Sequence, residues 1–219
     1  MNSKLNKRIS DSTIRRLSLY LRVLSTLEKE GASTVSSKEL ASREKLTPAQ
    51  VRKDLSLFGS FGTSGLGYRV KELRRQIAAI LGIDRIWYVG VFGVGNIGSA
   101  LVGYREFTRQ GFIITKLFDN DQRKIGSNHK GIVVSDIRNM KQEVTEAGVE
   151  MAIIAVPATV AQRIVDDLVA MGIRAFLNFA PINLKVPKDV YVRNENMAME
   201  LEYLSFAMVN KHTQKKPRS

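Results

Sequence analysis

The chain has 219 residues, long enough to bury a core in one large domain or two small ones, and carries a net charge of +13 with no cysteine. The missing cysteine excludes disulfides, thiol catalysis and cysteine metal sites, and with His129 and His212 as the only histidines no histidine-based metal centre is expected. No run of eighteen apolar residues appears, and the start Met1-Asn2-Ser3-Lys4-Leu5 lacks the apolar core of a signal peptide, so the expectation is a cytoplasmic protein without a membrane partner.

Positive charge is segregated along the chain. Residues 1–82 hold 16 Lys and Arg against 7 Asp and Glu, residues 83–210 hold 14 of each, and residues 211–219 add four positive charges. A basic front end ahead of a neutral middle is what a nucleic-acid-binding domain fused to a ligand-binding domain would show, whereas a generally basic soluble protein would spread its charge.

In chain order, Ile14, Leu17, Leu21, Leu24 and Leu27 recur at three- and four-residue steps and predict an amphipathic scaffold helix ending near Gly31. Ser36-Ser37-Lys38-Glu39 fits a capping box opening a short helix, and Thr47-Pro48-Ala49-Gln50 opens another with proline at its first position. Two capped helices across a tight connection predict a helix-turn-helix. On the second helix Val51, Leu55 and Phe58 share one face, which leaves Gln50, Arg52, Lys53 and Ser56 elsewhere. Arginine can take guanine bidentately, glutamine can take adenine, and lysine or serine can hold phosphate, so this helix is the expected DNA reader. Glycines then punctuate short apolar stretches from 59 to 70, the pattern of a hairpin wing whose Phe61 and Tyr68 are read as packing rather than base-stacking aromatics. A further helix over 70–81 stops at Gly82.

Trp87-Tyr88-Val89-Gly90-Val91-Phe92 reads as a buried strand, and it enters Gly93-Val94-Gly95-Asn96-Ile97-Gly98. This spacing is a dinucleotide fingerprint. One glycine makes the tight turn, the next lets backbone approach pyrophosphate, and the third lets helix and strand pack closely. The next strand, 112–118, ends on Asp119, about twenty residues on, where a carboxylate takes the ribose 2′-hydroxyl and repels a 2′-phosphate. NAD(H) is therefore expected over NADP(H), with Asn120 and Lys124 beside it; the alternative is that Asp119 merely opens the turn 119–121.

Beyond Asp119 apolar strands at 131–134, 151–156 and 175–179 alternate with helical stretches, which predicts a parallel sheet. Val156-Pro157-Ala158-Thr159 and Asn178-Phe179-Ala180-Pro181 are strand-end loops expected to line the nicotinamide side. The segment 197–209, with Met199, Leu201, Leu204, Phe206 and Met208, is apolar on most of its circumference and needs burial, against its own domain or a partner subunit; composition prefers neither. The tail 211–219 is expected to be disordered and to add nonspecific phosphate contact.

A dehydrogenase is the main enzymatic alternative, but hydride transfer needs a positioned acid or base and an enclosing second domain, and residues 86–210 are used by one nucleotide-binding fold. His129 follows Ser127-Asn128 in a turn and reads as solvated. A CoA-binding module would share the glycine turn, but Asp119 favours NAD. The expectation is a sensor without a small-molecule substrate.

The order of these parts resembles the Rex family of redox-sensing transcriptional repressors over nearly the whole chain. The resemblance is carried by Arg16-Leu17-Ser18-Leu19-Tyr20, Val51-Arg52-Lys53-Asp54-Leu55-Ser56-Leu57-Phe58-Gly59, Gly65-Leu66-Gly67-Tyr68, the 93–98 fingerprint, Val156-Pro157-Ala158 and Leu177-Asn178-Phe179-Ala180-Pro181. It implies an α/β homodimer: a winged helix-turn-helix domain (1–82) on palindromic double-stranded operator DNA, a Rossmann-type parallel-sheet domain (83–195) sensing NADH and NAD+, a domain-swapped C-terminal helix (196–210) and a basic tail (211–219). NADH binding is implied to release the DNA. The expected DNA contacts are Arg8, Arg16, Ser36, Gln50, Arg52, Lys53, Ser56 and Tyr68. The implied switch joins Arg16, Tyr104 and Asn196, the last standing where the family pattern usually has Asp; an amide can still hydrogen-bond there but cannot make the stronger charge-assisted bond. Thr63-Ser64 likewise replaces a wing pair that usually includes Lys or Arg, which shifts phosphate contact toward Lys4, Lys7 and Arg8.

Overall fold

The structure, a computed structural model, describes residues 9–62 and 66–210. Arg8, Lys4, Lys7, Thr63, Ser64 and the tail 211–219 lie outside the described residues. The chain divides into two compact units, Met1–Arg85 and Ile86–Ser219.

The first unit begins with α1 (Asp11–Lys29), capped by Ser10, whose side chain accepts from the Thr13 N–H, with Asp11 in its first turn and Lys29 in its last, the polarity a helix dipole favours. Leu17, Tyr20, Leu21, Leu24 and Leu27 form its buried stripe. Ile14, expected on that stripe, is exposed, because the core of the unit starts one turn later at Leu17. The strand β1 (Thr34–Val35) leads to α2 (Ser37–Arg43), where Ser36 accepts from the Glu39 N–H, and then to α3 (Pro48–Ser56), where Thr47 accepts from the Gln50 N–H at 3.1 Å and Pro48 occupies the first turn. Both caps are those the sequence predicts.

The wing region brings Gly62 against the Gly67 carbonyl, and residues 63–65 of its expected hairpin lie outside the described residues. Its terminal strand β2 (Tyr68–Arg69) pairs antiparallel with β1, Thr34 opposite Arg69 and Val35 opposite Tyr68, so its partner is the strand that precedes α2. Gly67 permits this: at φ +80° a Cβ would press within 2.6 Å of the Val35 carbonyl oxygen. The amphipathic α4 (Val70–Ile80) then closes the core with Val70, Leu73 and Ile77, and Gly82 stops it at φ +67°.

In the second unit the elements are β3 (Trp87–Phe92), α5 (Asn96–Val102), α6 (Arg105–Arg109), β4 (Phe112–Asp119), β5 (Asn128–His129), β6 (Ile132–Asp136), a 3-10 turn (Ile137–Asn139), α7 (Met140–Glu146), β7 (Met151–Ile154), α8 (Ala158–Ala170), β8 (Ala175–Asn178), β9 (Tyr191–Asn194) and α9 (Met197–Val209). The sheet order is β5-β6-β4-β3-β7-β8-β9, parallel throughout except for β5 at one edge. Chain direction reverses its march across the sheet at β3, which puts the ligand crevice between the C-terminal ends of β3 and β7.

Alternate residues on the central strands face opposite ways. Phe92, Phe118 and Ile154 join the α8 residues Ala161, Val165 and Leu168 on one side, while Val91, Leu117 and Ile153 join Leu101 and Phe107 on the other. Phe92 and Phe118 stack with centroids 4.9 Å apart. Neither β5 nor β9 is predicted by the sequence pattern; both are short, largely exposed and at the two edges, where no apolar run is required. Among the described residues no helix is long and apolar enough to cross a membrane, and no group of three acidic or histidine side chains is placed to hold a metal ion.

Candidate functional site

The chemistry of the second unit gathers at the C-terminal ends of β3 and β4. Gly93 leaves β3 at φ +96°, and a Cβ there would strike the Ala155 carbonyl oxygen after β7. A Cβ on Gly98 would fall on the Gly93 carbonyl oxygen, so α5 can start only this close to the strand if position 98 lacks a side chain. Gly95 is the contrast: nothing lies within 4 Å of its notional Cβ, and this is the position where a pyrophosphate needs open backbone. Asn96 and Ile97 are exposed at the start of α5, whereas the Val94 side chain is buried in the core and cannot line a ligand.

Asp119 fastens this turn. Its Oδ2 accepts from the Val94 N–H at 2.8 Å and from Lys124 Nζ at 3.0 Å, and its Oδ1 accepts from the Asp121 N–H at 2.9 Å. Burial alone would raise its pKa, but the Asp121 and Val94 amides and Lys124 outweigh that and hold the carboxyl below its ordinary value. A carboxylate offers about four acceptor sites, so one remains on Oδ1 for a further donor. Opening the turn leaves that acceptor over, so the turn-opening reading of Asp119 does not exclude the ribose-binding one. Asn120 is exposed beside it.

Across the crevice, Pro157 caps α8, with Val156 and Ala158 half-buried and Thr159 exposed. Asn178, expected on the nicotinamide side, has its side chain turned into its own loop. It is buried, its Nδ2 lies 3.2 and 3.0 Å from the carbonyls of Ala180 and Ile182 and 2.8 Å from Asn194 Oδ1, three acceptors sharing two protons, and its Oδ1 accepts from the Ala180 N–H. It shapes the 178–182 loop rather than offering its side chain to a ligand. Ala180 is likewise buried, which leaves half-buried Phe179 and exposed Pro181 as the reachable members of that loop.

In the first unit Arg52, Lys53 and Ser56 are exposed on α3 opposite the buried Val51 and Leu55. Arg52 Nη1 donates to Ser37 Oγ at 3.0 Å, and exposed Ser36 caps α2 alongside. Tyr68 packs into the core, with burial raising its hydroxyl pKa, so the packing reading holds and its expected DNA contact does not follow from this geometry.

The feature that sequence reasoning missed is Asp54, 1% exposed, on the same face as Val51 and Leu55. Its carboxylate accepts four bonds: Arg16 Nε (2.6 Å) and Tyr20 Oη (2.8 Å) on Oδ2, and Arg16 Nη2 (2.7 Å) and Gln50 Nε2 (2.8 Å) on Oδ1. Every acceptor site is filled. Burial would raise its pKa, but the bonds from Arg16, Tyr20 and Gln50 hold it below the ordinary value; burial and the same carboxylate push the Tyr20 hydroxyl up. The signal was present: a carboxylate three residues after Val51 lies on the apolar stripe, where a charge survives only with donors. Arg16 and Gln50, both expected to touch DNA, are joined here through Asp54.

Tyr104 is exposed at the start of α6, its ring edge-on to Phe107 at 5.1 Å. Asn196 caps α9, its Oδ1 accepting from the Ala198 N–H at 3.0 Å. No residue of α9 is buried: Met197, Leu201, Tyr203, Phe206, Met208 and Val209 are all at least 66% exposed.

Residues 8–56 match the family described as "Putative DNA-binding protein N-terminus", and residues 84–182 match "CoA binding domain". The chain is 48% identical over 204 residues, 93% of its length and 97% of the relative's, to the protein from Desulforamulus reducens named "Redox-sensing transcriptional repressor Rex". It is also similar to the crystal structure of RSP in complex with beta-NAD+ and operator DNA (TM-score 0.88, 35% identity, 94% of each chain covered). RSP in complex with beta-NADH gives a TM-score of 0.83 at 33% identity, covering 94% of this chain and 96% of that one.

Asp54 sets a pH dependence. Its folded pKa lies below the unfolded value of about 3.9, so its stabilisation is present above that value and is lost as pH falls through the folded pKa. Asp54→Asn should lower unfolding free energy at pH 7 by about 1.5–3 kcal/mol, the range for hydrogen bonds to a charged group. The gap should narrow as pH falls below about 4. Urea denaturation of both proteins at pH 7, 4 and 3 measures this; a pH-independent gap contradicts it.

Proposed function

The chain belongs to the Rex family of redox-sensing transcriptional repressors, and from that premise we propose that it reads operator DNA with its first unit and the NADH/NAD+ ratio with its second, NADH releasing the DNA. The observation that carries this reading is the 93–98 turn fastened to Asp119, a dinucleotide-type site in a chain whose other unit exposes Arg52, Lys53 and Ser56 on one helix. Rex proteins are repressors, so this one is a regulator and the dehydrogenase alternative is set aside. Asp119 beside the glycine turn supports NAD(H) over CoA despite the match of that unit to a CoA-binding family, and RSP is described with both NAD+ and NADH.

In this reading α3 enters the major groove, with Gln50, Arg52, Lys53 and Ser56 facing DNA and Ser36 and Arg8 among the backbone contacts. Residues 1–82 serve DNA, 83–195 serve NAD(H), and 211–219 add charge. Gly93, Gly95, Asn96, Ile97, Gly98, Asp119, Asn120 and Lys124 hold the adenosine and pyrophosphate side; Val156, Pro157, Ala158, Thr159, Phe179 and Pro181 approach the nicotinamide. The protein acts in the cytoplasm as a homodimer on a palindromic site. Residues 196–210 supply the dimer contact: α9 is apolar on most of its circumference and buried nowhere among the described residues, and a second copy covers it. Arg16, Tyr104 and Asn196 link cofactor state to DNA affinity, the last through a neutral bond.

A ligand shifts an equilibrium only by its differential affinity for the two states. NADH should therefore weaken operator binding in a gel-shift titration far more than NAD+ does; equal effects would sink the redox reading. Removing the carboxylate beside Lys124 should change which cofactor is preferred: Asp119→Ser should raise NADPH affinity relative to NADH by about tenfold in fluorescence titrations. Charge placed on α9, as Leu204→Asp with Phe206→Asp, should give a monomer by light scattering, and a surviving dimer would remove α9 from the interface.

A further inference from the structure

Asp54 lies within the reading helix, yet none of its oxygens is left for DNA. Both oxygens are saturated by Arg16, Tyr20 and Gln50. One of those donors, Gln50, is only half-buried and sits a single turn earlier on α3. A glutamine amide has two ends, an oxygen that accepts and a nitrogen that donates two protons, and rotation about its last bond exchanges them. An ionised carboxylate accepts only. Facing Asp54, the amide must therefore present its nitrogen, since the oxygen would meet another oxygen.

We propose that Asp54 is a positioning residue for base recognition, presetting the Gln50 amide to read adenine. With one N–H given to Asp54 Oδ1 at 2.8 Å, Gln50 keeps its Oε1 and its second N–H. That acceptor–donor pair is the complement of adenine N6–H2 and N7 in the major groove. The flipped amide would offer the reverse pattern and leave a buried carboxylate one donor short. The two bonds from Arg16 lock the carboxylate from α1, so the orientation of a reading side chain is fixed from outside its own helix. Preorganisation of this kind favours binding because less side-chain freedom is lost when the complex forms.

The inference rests on the DNA-reading function above, and the test separates the two. Duplexes are first selected from a random-sequence library with the wild-type full chain, and each base pair of the best duplex is then replaced in turn. One A·T pair should cost the wild type about tenfold or more on replacement, and become indifferent to within about twofold in both Gln50→Ala and Asp54→Asn, the other pairs keeping their discrimination. Tyr20→Phe removes a different bond to Asp54 and should keep discrimination at that pair. Full discrimination in Asp54→Asn at the pair that Gln50→Ala relaxes overturns the inference, as does a Gln50→Ala variant that relaxes no pair, or a Tyr20→Phe variant that relaxes the same pair. Failure of the wild type to enrich any sequence overturns the DNA-reading function itself. Should Asp54→Asn not fold, one of the two Gln50 side-chain amide protons of the unmodified protein, assigned by their absence from the Gln50→Ala NMR spectrum, should exchange with solvent about tenfold more slowly than those of a free glutamine. Exchange of both at the free rate overturns the inference.

Discussion

The first unit depends on keeping one carboxylate ionised out of water. Stripping a carboxylate of solvent costs several kcal/mol unless its acceptor sites are filled by well-placed donors. At Asp54 the donors come from Arg16 and Tyr20 on α1 and from Gln50 on α3 itself, so the two helices cannot shift relative to each other without leaving an acceptor unpaired. Apolar packing of Leu17, Leu24, Val51 and Leu55 brings these helices together, but packing alone tolerates small slides. The ionic cluster specifies one register.

The second unit solves a similar problem at Asp119, with a different result. There the carboxylate bonds to the backbone of the glycine turn and of its own loop, and a lysine is the third donor. A turn with no side chain at 93, 95 and 98 has little of its own to hold its shape, so the strand-end carboxylate supplies the rigidity that the glycines remove. Asp54 is saturated whereas Asp119 retains one acceptor on Oδ1. A closed shell serves to position neighbours; an open one can also receive a ligand.

What the sequence made legible was whatever local pattern determines. The stripe from Leu17 to Leu27, the Ser36 and Thr47 caps, the strands entering and leaving the 93–98 turn and the apolar 197–209 helix all appear where spacing and capping chemistry place them. What stayed hidden arises from contacts between distant residues. Arg16 and Asp54 are 38 positions apart, and no periodicity links them. Asn178 looked like a loop residue at a strand end, but Ile182 and Asn194 convert it into an internal brace. The partner of β2 is β1, more than thirty residues earlier in the chain, because the close approach at Gly67 closes that pair.

The bareness of α9 has a thermodynamic corollary. A helix of thirteen residues is marginal in water on its own, and this one draws no burial from the described residues of its own chain. In the proposed dimer its order and its cover come from the same event, association, so mass action governs the fold of this segment. Dilution acts on it as a denaturant would, and the abundance of the protein becomes a variable in its own conformational equilibrium.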